Sequence, residues 1–295
     1  MIAPGHLRIL RPAPNILAFY DGRVAGYRFA AGPNWVDDGA LSLGIASYVI
    51  HDGAEALIYD THVSLDHARF IRATVEAMGI TRMKVVLSHW HLDHIAGNQI
   101  FADCPIFANI RTAAHLTSRC RAIKTGTSSG LPALSPLVHP TDLFEGQAHL
   151  HIGGLHIDLM QANIHSDDAT VVWMAGPRLL LAGDTVEDPV TYVGDSDGFT
   201  THLADLDRLA SLGPRVILPN HGNPDRISAG GYDTELQAAT QNYIQFLQRC
   251  KTDPAVRGIP LKQVMQPWLD KGTLNWFPPY EAVHKQNVDR VIKAG

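Results

Sequence analysis

Four residues able to bind a metal fall within six positions of this chain. They are His89, His91, Asp93 and His94, in the stretch VVLSHWHLDHIAG from Val85 to Gly97. Imidazole suits zinc, copper, iron and nickel, and an added carboxylate keeps such a site hard enough for hydrolytic zinc chemistry. The apolar run Val85-Val86-Leu87 stops at Ser88, so the cluster begins where a strand should end. Three further ligand-type residues recur in matching contexts. Asp184 follows the run Leu179–Leu181, and His221 follows Val216–Leu218. His165 sits between a strand ending near Met160 and one starting near Thr170. Ligands of open α/β sheets collect beyond the carboxyl ends of strands, so one sheet edge can gather all seven.

The elements around these residues read as an alternation of strands and helices. Residues 7–30 form short strands with turns, with Asp21-Gly22 as a hairpin signal. Residues 31–44 read as a loop carrying Trp35, which either joins a satellite core or forms a flap over a pocket. IASYVIHDG and EALIYDTH pair as a hairpin about Asp52-Gly53 and end in Asp60-Thr61-His62. His62 is read as a structural or near-site residue. A helix over Ser64–Met78 has Ser64 as N-cap and Gly79 past its end. It leads to the strand Met83–Leu87, and strand–helix–strand implies a parallel crossover.

Beyond the motif the spacing predicts a short helix over 96–101, a strand over 105–108 and a helix over 109–119. Residues 120–146, broken by Pro132, Pro136 and Pro140, form an irregular insertion of the kind that faces substrate. His139 there is assigned to the surface. His149 and His151 repeat the H-x-H spacing on a hairpin turning at Gly153-Gly154, but are read as a solvated face with no third ligand nearby. A polar loop over 186–200 precedes a helix over Leu203–Leu212. From about residue 232 the pattern is helical, without ligand-type clustering, and is assigned to packing, lid or oligomer contacts.

At 295 residues, 45 % of them hydrophobic and 18 % charged, the chain can bury a sizeable core. It is read as one domain over 1–295. A net charge of −5 gives no overall basic face, which argues against a nucleic-acid partner. No apolar run approaches the ~20 residues of a membrane span, and the N-terminus lacks a signal-peptide pattern. Cys104, Cys120 and Cys250 form no CxxC pair and are read as reduced thiols. The expectation is a cytoplasmic protein with a small-molecule substrate and no membrane, with homodimerisation left open.

H-x-H-x-D-H at a strand end resembles the metallo-β-lactamase-fold superfamily, over about residues 40–225. The resemblance implies an αββα four-layer sandwich of two mixed β-sheets with helices on the outer faces. A weak internal echo, ALIYDTH with LLLAGDT and VVLSHWHLDH with VILPNHGNPD, fits its two halves. Carried over position by position, His89, His91 and His165 hold a first metal. Asp93, His94 and His221 hold a second, Asp184 bridges both, and Asp60 orients a metal-binding histidine. The cofactor implied is two divalent ions: zinc by default, with iron or manganese as alternatives.

Such a pair shares a bridging hydroxide that attacks a carbonyl, because coordination lowers the pKa of water to about 7. Asp93 is then also the orienter of that nucleophile and a candidate proton shuttle. Retention of Asp184 is similar to hydroxyacylglutathione hydrolases and N-acyl homoserine lactonases, and unlike the β-lactamase branches. The lactonases place a tyrosine three residues after that aspartate. Here the position is Glu187, and Tyr192 is the nearest tyrosine. The expected activity is hydrolysis of an ester, lactone or thioester. β-Lactam or phosphoester hydrolysis, or a metal-binding regulator with little turnover, are the alternatives. The expected pocket uses Trp35, Trp90, Tyr192 and Phe199 with the 120–146 insertion. With no dense Lys/Arg set in the sequence, the expected substrate is uncharged or moderately apolar.

Overall fold

The structure is a computed structural model that describes residues 2–294. A first sheet has seven strands in chain order. They are β1 (Arg8–Ala13), β2 (Ile16–Asp21), β3 (Ile45–Asp52), β4 (Glu55–Tyr59), β5 (Arg82–Val86), β6 (Ile106–Asn109) and β7 (Asp142–Phe144). A second sheet comprises β8 (Gln147–Ile152), β9 (Leu155–Ile164), β10 (Ser166–Met174), β11 (Leu179–Gly183) and β12 (Val216–Pro219), also in chain order across the sheet. Both sheets are mixed: β1 to β4 run antiparallel and β4 to β7 parallel, while only β11 and β12 are parallel in the second. The helices are α1 (Leu65–Ala77), α2 (Leu92–Ile95), α3 (Ile110–Thr125), α4 (Phe199–Ser211), α5 (Pro224–Ser228), α6 (Glu235–Thr252), α7 (Leu261–Asp270) and α8 (Tyr280–Ala294).

The period-2 alternation of β2 shows how the layers are specified. Ile16, Ala18 and Tyr20 point into the cluster shared with the second sheet. Leu17 and Phe19 point the other way, into a cluster built with α1. Both faces are buried, so the strand reads as a continuous apolar run. Three buried tyrosines of the first sheet donate across the sandwich. Tyr48 Oη bonds Pro219 O at 2.6 Å, Tyr59 Oη bonds Thr170 O at 2.6 Å and Tyr20 Oη bonds Gly222 O at 3.0 Å. These bonds satisfy phenols that would otherwise be costly to bury. They also clamp the sheets beside β12 and β10, next to the strand ends that carry the ligand-type residues. The αββα arrangement expected from the resemblance is therefore present.

Several element boundaries differ from expectation. The first hairpin turns at Pro14-Asn15, since β1 and β2 pair Ala13 with Ile16. Asp21-Gly22 instead ends β2, because the buried Asp21 carboxylate accepts from Gly22 N at 2.6 Å and faces His67 Nε2 at 2.9 Å. Within 31–44 the chain forms a wide helical turn, Val36–Leu41, held by Asp37 accepting from Phe29 N, Ala30 N and Asn34 Nδ2. α3 runs six residues past Arg119, burying Ile123, and stops at the left-handed Gly126. Among the described residues no helix is long and apolar enough to cross a membrane.

Candidate metal centre

The seven ligand-type residues come together at one end of the sandwich. His89 and His91 lie in the short segment between β5 and α2, and Asp93 and His94 lie in the single turn of α2. His165 forms the turn between the antiparallel β9 and β10, in the left-handed region at φ 69°. Asp184 follows β11 and His221 follows β12, two parallel neighbours whose ends emerge side by side. Gly194 closes over His165: its N–H donates to His165 O at 2.8 Å, and a Cβ there would meet that oxygen at 2.6 Å. Only glycine allows this approach.

The donor atoms fall into two groups, each within 4.8 Å. His89, His91, His165 and Asp184 form one, and Asp93, His94 and His221 form the other. Asp184 Oδ2 lies between them, 3.6 Å from His89 Nε2, 3.6 Å from His165 Nε2, 3.1 Å from His94 Nε2 and 3.5 Å from His221 Nε2. Asp93 Oδ2 is 3.4 Å from His221 Nε2 and 3.6 Å from His94 Nε2.

These residues fit a pair of metal ions by two structural criteria. First, inward-facing atoms are left without a partner: His89 Nε2 and Asp184 Oδ1 are buried and unbonded. His91 Nδ1 and His165 Nε2 face each other at 3.0 Å. Burial pushes His91 down to about 3 and His165 down to about 4, so both imidazoles are neutral near pH 7. Deprotonated nitrogens are what a metal requires. Second, the far-side nitrogens are held. Ser88 Oγ is 2.9 Å from His89 Nδ1, Asp60 Oδ2 is 2.8 Å from His94 Nδ1, and His221 Nδ1 donates to Gly44 O at 2.7 Å. Such outward bonds fix ring orientation and tautomer in metal sites.

Burial lowers His89 strongly. It opposes charge on His94 and His221 too, but Asp184 and the neighbouring carboxylates outweigh it and hold both well above the ordinary histidine range. Burial also disfavours charge on Asp184, yet His94 and His221 keep it well below the ordinary carboxylate range. A concentrated, mutually compensating charge set of this kind marks functional sites.

Asp60 stands as the hub behind the centre. Its Oδ1 accepts from Ser88 N at 2.7 Å, and its Oδ2 accepts from Asn220 Nδ2 at 2.6 Å as well as facing His94. Asp60 takes the left-handed conformation, φ 66°, which an L-residue adopts only when its surroundings compel it. Asn220 was not singled out by the sequence. It is adjacent to His221, and that adjacency was the available signal.

A cavity of about 980 Å³ opens over the centre. Asp93, Asp184 and His221 line its floor, and Trp35, Trp90 and Tyr192 stand in its walls. Trp35 also donates its indole N–H to Pro132 O at 2.8 Å, tying the 31–44 segment to the insertion. Trp90 packs edge-on to His91, 4.6 Å between ring centres. Phe199 corrects the expectation: it opens α4, is 3 % exposed, belongs to the inter-sheet core and does not line the cavity. The first turn of an amphipathic helix must bury its apolar side chain, and that requirement took Phe199 inward.

Two features were hidden in the sequence. Glu187 is almost fully buried in the cavity wall, where Tyr280 Oη donates to its Oε2 at 2.8 Å and Tyr192 N to its Oε1 at 3.2 Å. Burial pushes its carboxyl up to about 8. Tyr280 comes from α8, which also brings Val283 and Arg290 to the cavity. α8 thus supplies part of the cavity wall, in a region assigned from the sequence to packing, lid or oligomer contacts. Arg119, on α3, is a further cavity residue. The two arginines are remote from every motif, which is why the sequence showed no basic set.

Comparison with known proteins agrees with this geometry. The curated proteins include an atrochrysone carboxyl ACP thioesterase of Aspergillus terreus, 28 % identical over 180 residues, covering 61 % of this chain and 49 % of the relative. The like-named protein of Passalora fulva is 46 % identical over 55 residues, 18 % of this chain and 16 % of that protein. The chain thus spans about half or less of the length of these curated relatives. Among solved structures, the DIM-1 metallo-β-lactamase matches with a TM-score of 0.59 at 21 % identity, over 83 % of this chain and 99 % of that one. A metallo-β-lactamase from Pontibacter korlensis matches at 0.61 and 16 % identity, over 81 % and 99 %. At these identities the structures speak for the fold alone. The family model described as the metallo-beta-lactamase superfamily matches residues 42–221, which contain all seven donors, and the chain belongs to that superfamily.

Proposed function

We propose that the protein is a dinuclear, most simply zinc-dependent, hydrolase of carbonyl esters, with acyl thioesters as the leading substrate class. The observation that carries the reading is Asp184 Oδ2, within 3.6 Å of inward nitrogens from both donor groups. One carboxylate serving two facing groups is the arrangement that two ions sharing a ligand require. Five imidazoles, with His94 and His221 giving up their protons on binding, and two carboxylates suit zinc and leave residual positive charge. When bound, the ions would acidify water and polarise the substrate oxygen. His89, His91 and His165 would hold one ion and Asp93, His94 and His221 the other.

The chain's own groups have separate tasks. Asp93, partly buried at the cavity floor, takes up the proton that the attacking water gives up and hands it to the leaving group as the acyl bond breaks. Trp35, Trp90 and Tyr192 exclude water from the acyl chain. The thioester preference is supported by the name shared by the two curated relatives, and by the retained Asp184.

The test combines metal analysis with a panel of thioesters, aryl esters, lactones, β-lactams and phosphodiesters. Two equivalents of metal per chain and thioester or ester turnover that a chelator abolishes are expected. One equivalent would overturn the dinuclear reading. Turnover confined to phosphodiesters or β-lactams would overturn the substrate class.

A further inference from the structure

Two arginines flank the cavity in parallel ways. The Arg119 guanidinium lies 4.3 Å from the centre of the Trp90 ring, and Trp90 packs against His91. The Arg290 guanidinium lies 4.7 Å from the centre of the Tyr192 ring, and Tyr192 packs 5.8 Å from His165. His91 and His165 belong to the same donor group. So α3 and α8, far apart in sequence, each set a cation one aromatic ring away from the same donor group.

Neither arginine is ion-paired to a carboxylate among the described residues. Arg119 Nη1 donates to His115 Nδ1 at 2.7 Å and to Ser118 Oγ at 3.2 Å. Arg290 Nη1 donates to Gly194 O at 3.0 Å. A guanidinium has five N–H donors, so most of them remain free on both. Arg290 is part-buried, and burial lowers its pKa with no anion offsetting the cost. Arginines elsewhere contrast with this: Arg72, Arg111 and Arg208 each bond a carboxylate.

The acids at the rim are mostly engaged. Asp38 is bound by Arg28, and Asp167 by Arg111 and His115. That second set is a chain of bonds, Asp167 to His115 to Arg119, which fixes the Arg119 side chain. Asp195 accepts from Asp197 N and is the remaining rim carboxylate that the cavity shows without a basic partner. Stacking on an aromatic face leaves a guanidinium's in-plane N–H edge free, which is the edge that binds planar or tetrahedral oxyanions bidentately.

We propose that Arg119 and Arg290 form an anion-recognition subsite, and that the substrate carries a carboxylate or phosphate on an arm reaching outward from the scissile carbonyl. The proposal rests on the hydrolase reading for its position in a reaction, but the subsite itself binds an anion with or without turnover. It replaces the uncharged substrate expected from the sequence.

The experiment uses matched thioester pairs on the metal-loaded protein. Glutaryl against monomethyl-glutaryl N-acetylcysteamine tests a carboxylate on the acyl side. Butyryl-coenzyme A against butyryl N-acetylcysteamine tests a phosphate on the thiol side. At least a tenfold preference in kcat/KM for one anionic partner is expected, carried mainly by KM and weakened by salt. In the R119Q/R290Q variant that ratio should fall toward one, and R119K/R290K should restore part of it. No preference in either pair, or a preference that survives R119Q/R290Q, would overturn the subsite.

A second measurement covers an enzyme inert on every thioester, which would sink the hydrolase reading alone. Glutarate and adenosine 3′,5′-bisphosphate are titrated into the metal-free protein, with heat of binding by calorimetry as the readout. Saturable binding that R119Q/R290Q loses supports the subsite. Absence of saturable binding of either anion to the wild-type protein overturns it.

Discussion

Among the described residues, histidines and aspartates gather at the buried centre, at the β8–β9 hairpin and at His115 with Asp167 and Asp168, and the first two invite comparison. At the hairpin, His149, His156 and Asp158 bring ligand atoms within 4.8 Å. The sequence reading gave His149 and His151 no third ligand nearby, but the hairpin register sets His149 opposite Asp158 and His151 opposite His156. The two gatherings share residue types and spacing, and they differ in where the bonds go. On the hairpin, His149 Nδ1 and His156 Nε2 both bond Asp158 Oδ1, at 2.7 and 2.8 Å. All three histidines there are exposed. At the centre His89 Nε2 and Asp184 Oδ1 have no partner, the outward nitrogens of His89, His94 and His221 are held, and five of the seven residues are buried, the other two partly so. Preorganisation and desolvation, rather than proximity, separate a site from a surface cluster.

The comparison can be broken in four ways, in order of expected effect. Asp184→Ala and His94→Ala should each lose the second metal and at least about 100-fold in turnover, since a direct ligand matters more than its supports. Full metal content and turnover in both variants would remove the distinction between the gatherings. Asp60→Asn leaves every ligand in place and removes one acceptor behind His94. Metal affinity, read by competition with a chelator, should weaken about 10–100-fold. An unaltered affinity would show that the pinned outer nitrogens contribute nothing.

The third test bears on burial. The Glu187 carboxyl is raised from its ordinary 4.5 to about 8. The folded state therefore holds a proton that the unfolded chain releases, and stability falls as pH rises between those values. In metal-free protein, Glu187→Gln should flatten the fall in stability between pH 5 and pH 8, measured by urea unfolding. Parallel curves for the two proteins would contradict the assignment. The smallest effect belongs to the hairpin. His156→Ala should leave metal stoichiometry at two, turnover within about twofold and stability within about 0.5 kcal/mol. A drop in tightly held metal would mean that the hairpin is the better site.

Much of the centre was legible because its residues sit at strand ends. His89 to His94 are local in sequence, and Asp184 and His221 each follow an apolar run that could only be a strand. His165 was legible through its flanking strands. What stayed hidden lies on helices or in long-range contacts. Arg119 and Arg290 carry no local pattern, because their meaning comes from stacking on Trp90 and Tyr192. Glu187 was visible only as a departure from a resemblance, while its partner Tyr280 is 93 positions away. In the fold, β7 was missed because three residues just after Pro140 give too short a period to read. α3 was ended early at the irregular composition that follows it.

The part of the chain that α8 contributes has a consequence for inheritance. The family match ends at residue 221 and starts at 42, so Trp35, Tyr280 and Arg290 all lie outside it. Part of the cavity wall is therefore written outside the stretch that carries the donors, while Trp90, Arg119 and Tyr192 lie within it. Mutations in the outer stretches can drift or be recombined without touching a metal ligand. Under the proposed subsite, exchanging the last helix for a relative's should leave the seven donors in place and alter the cavity wall where Arg290 stands.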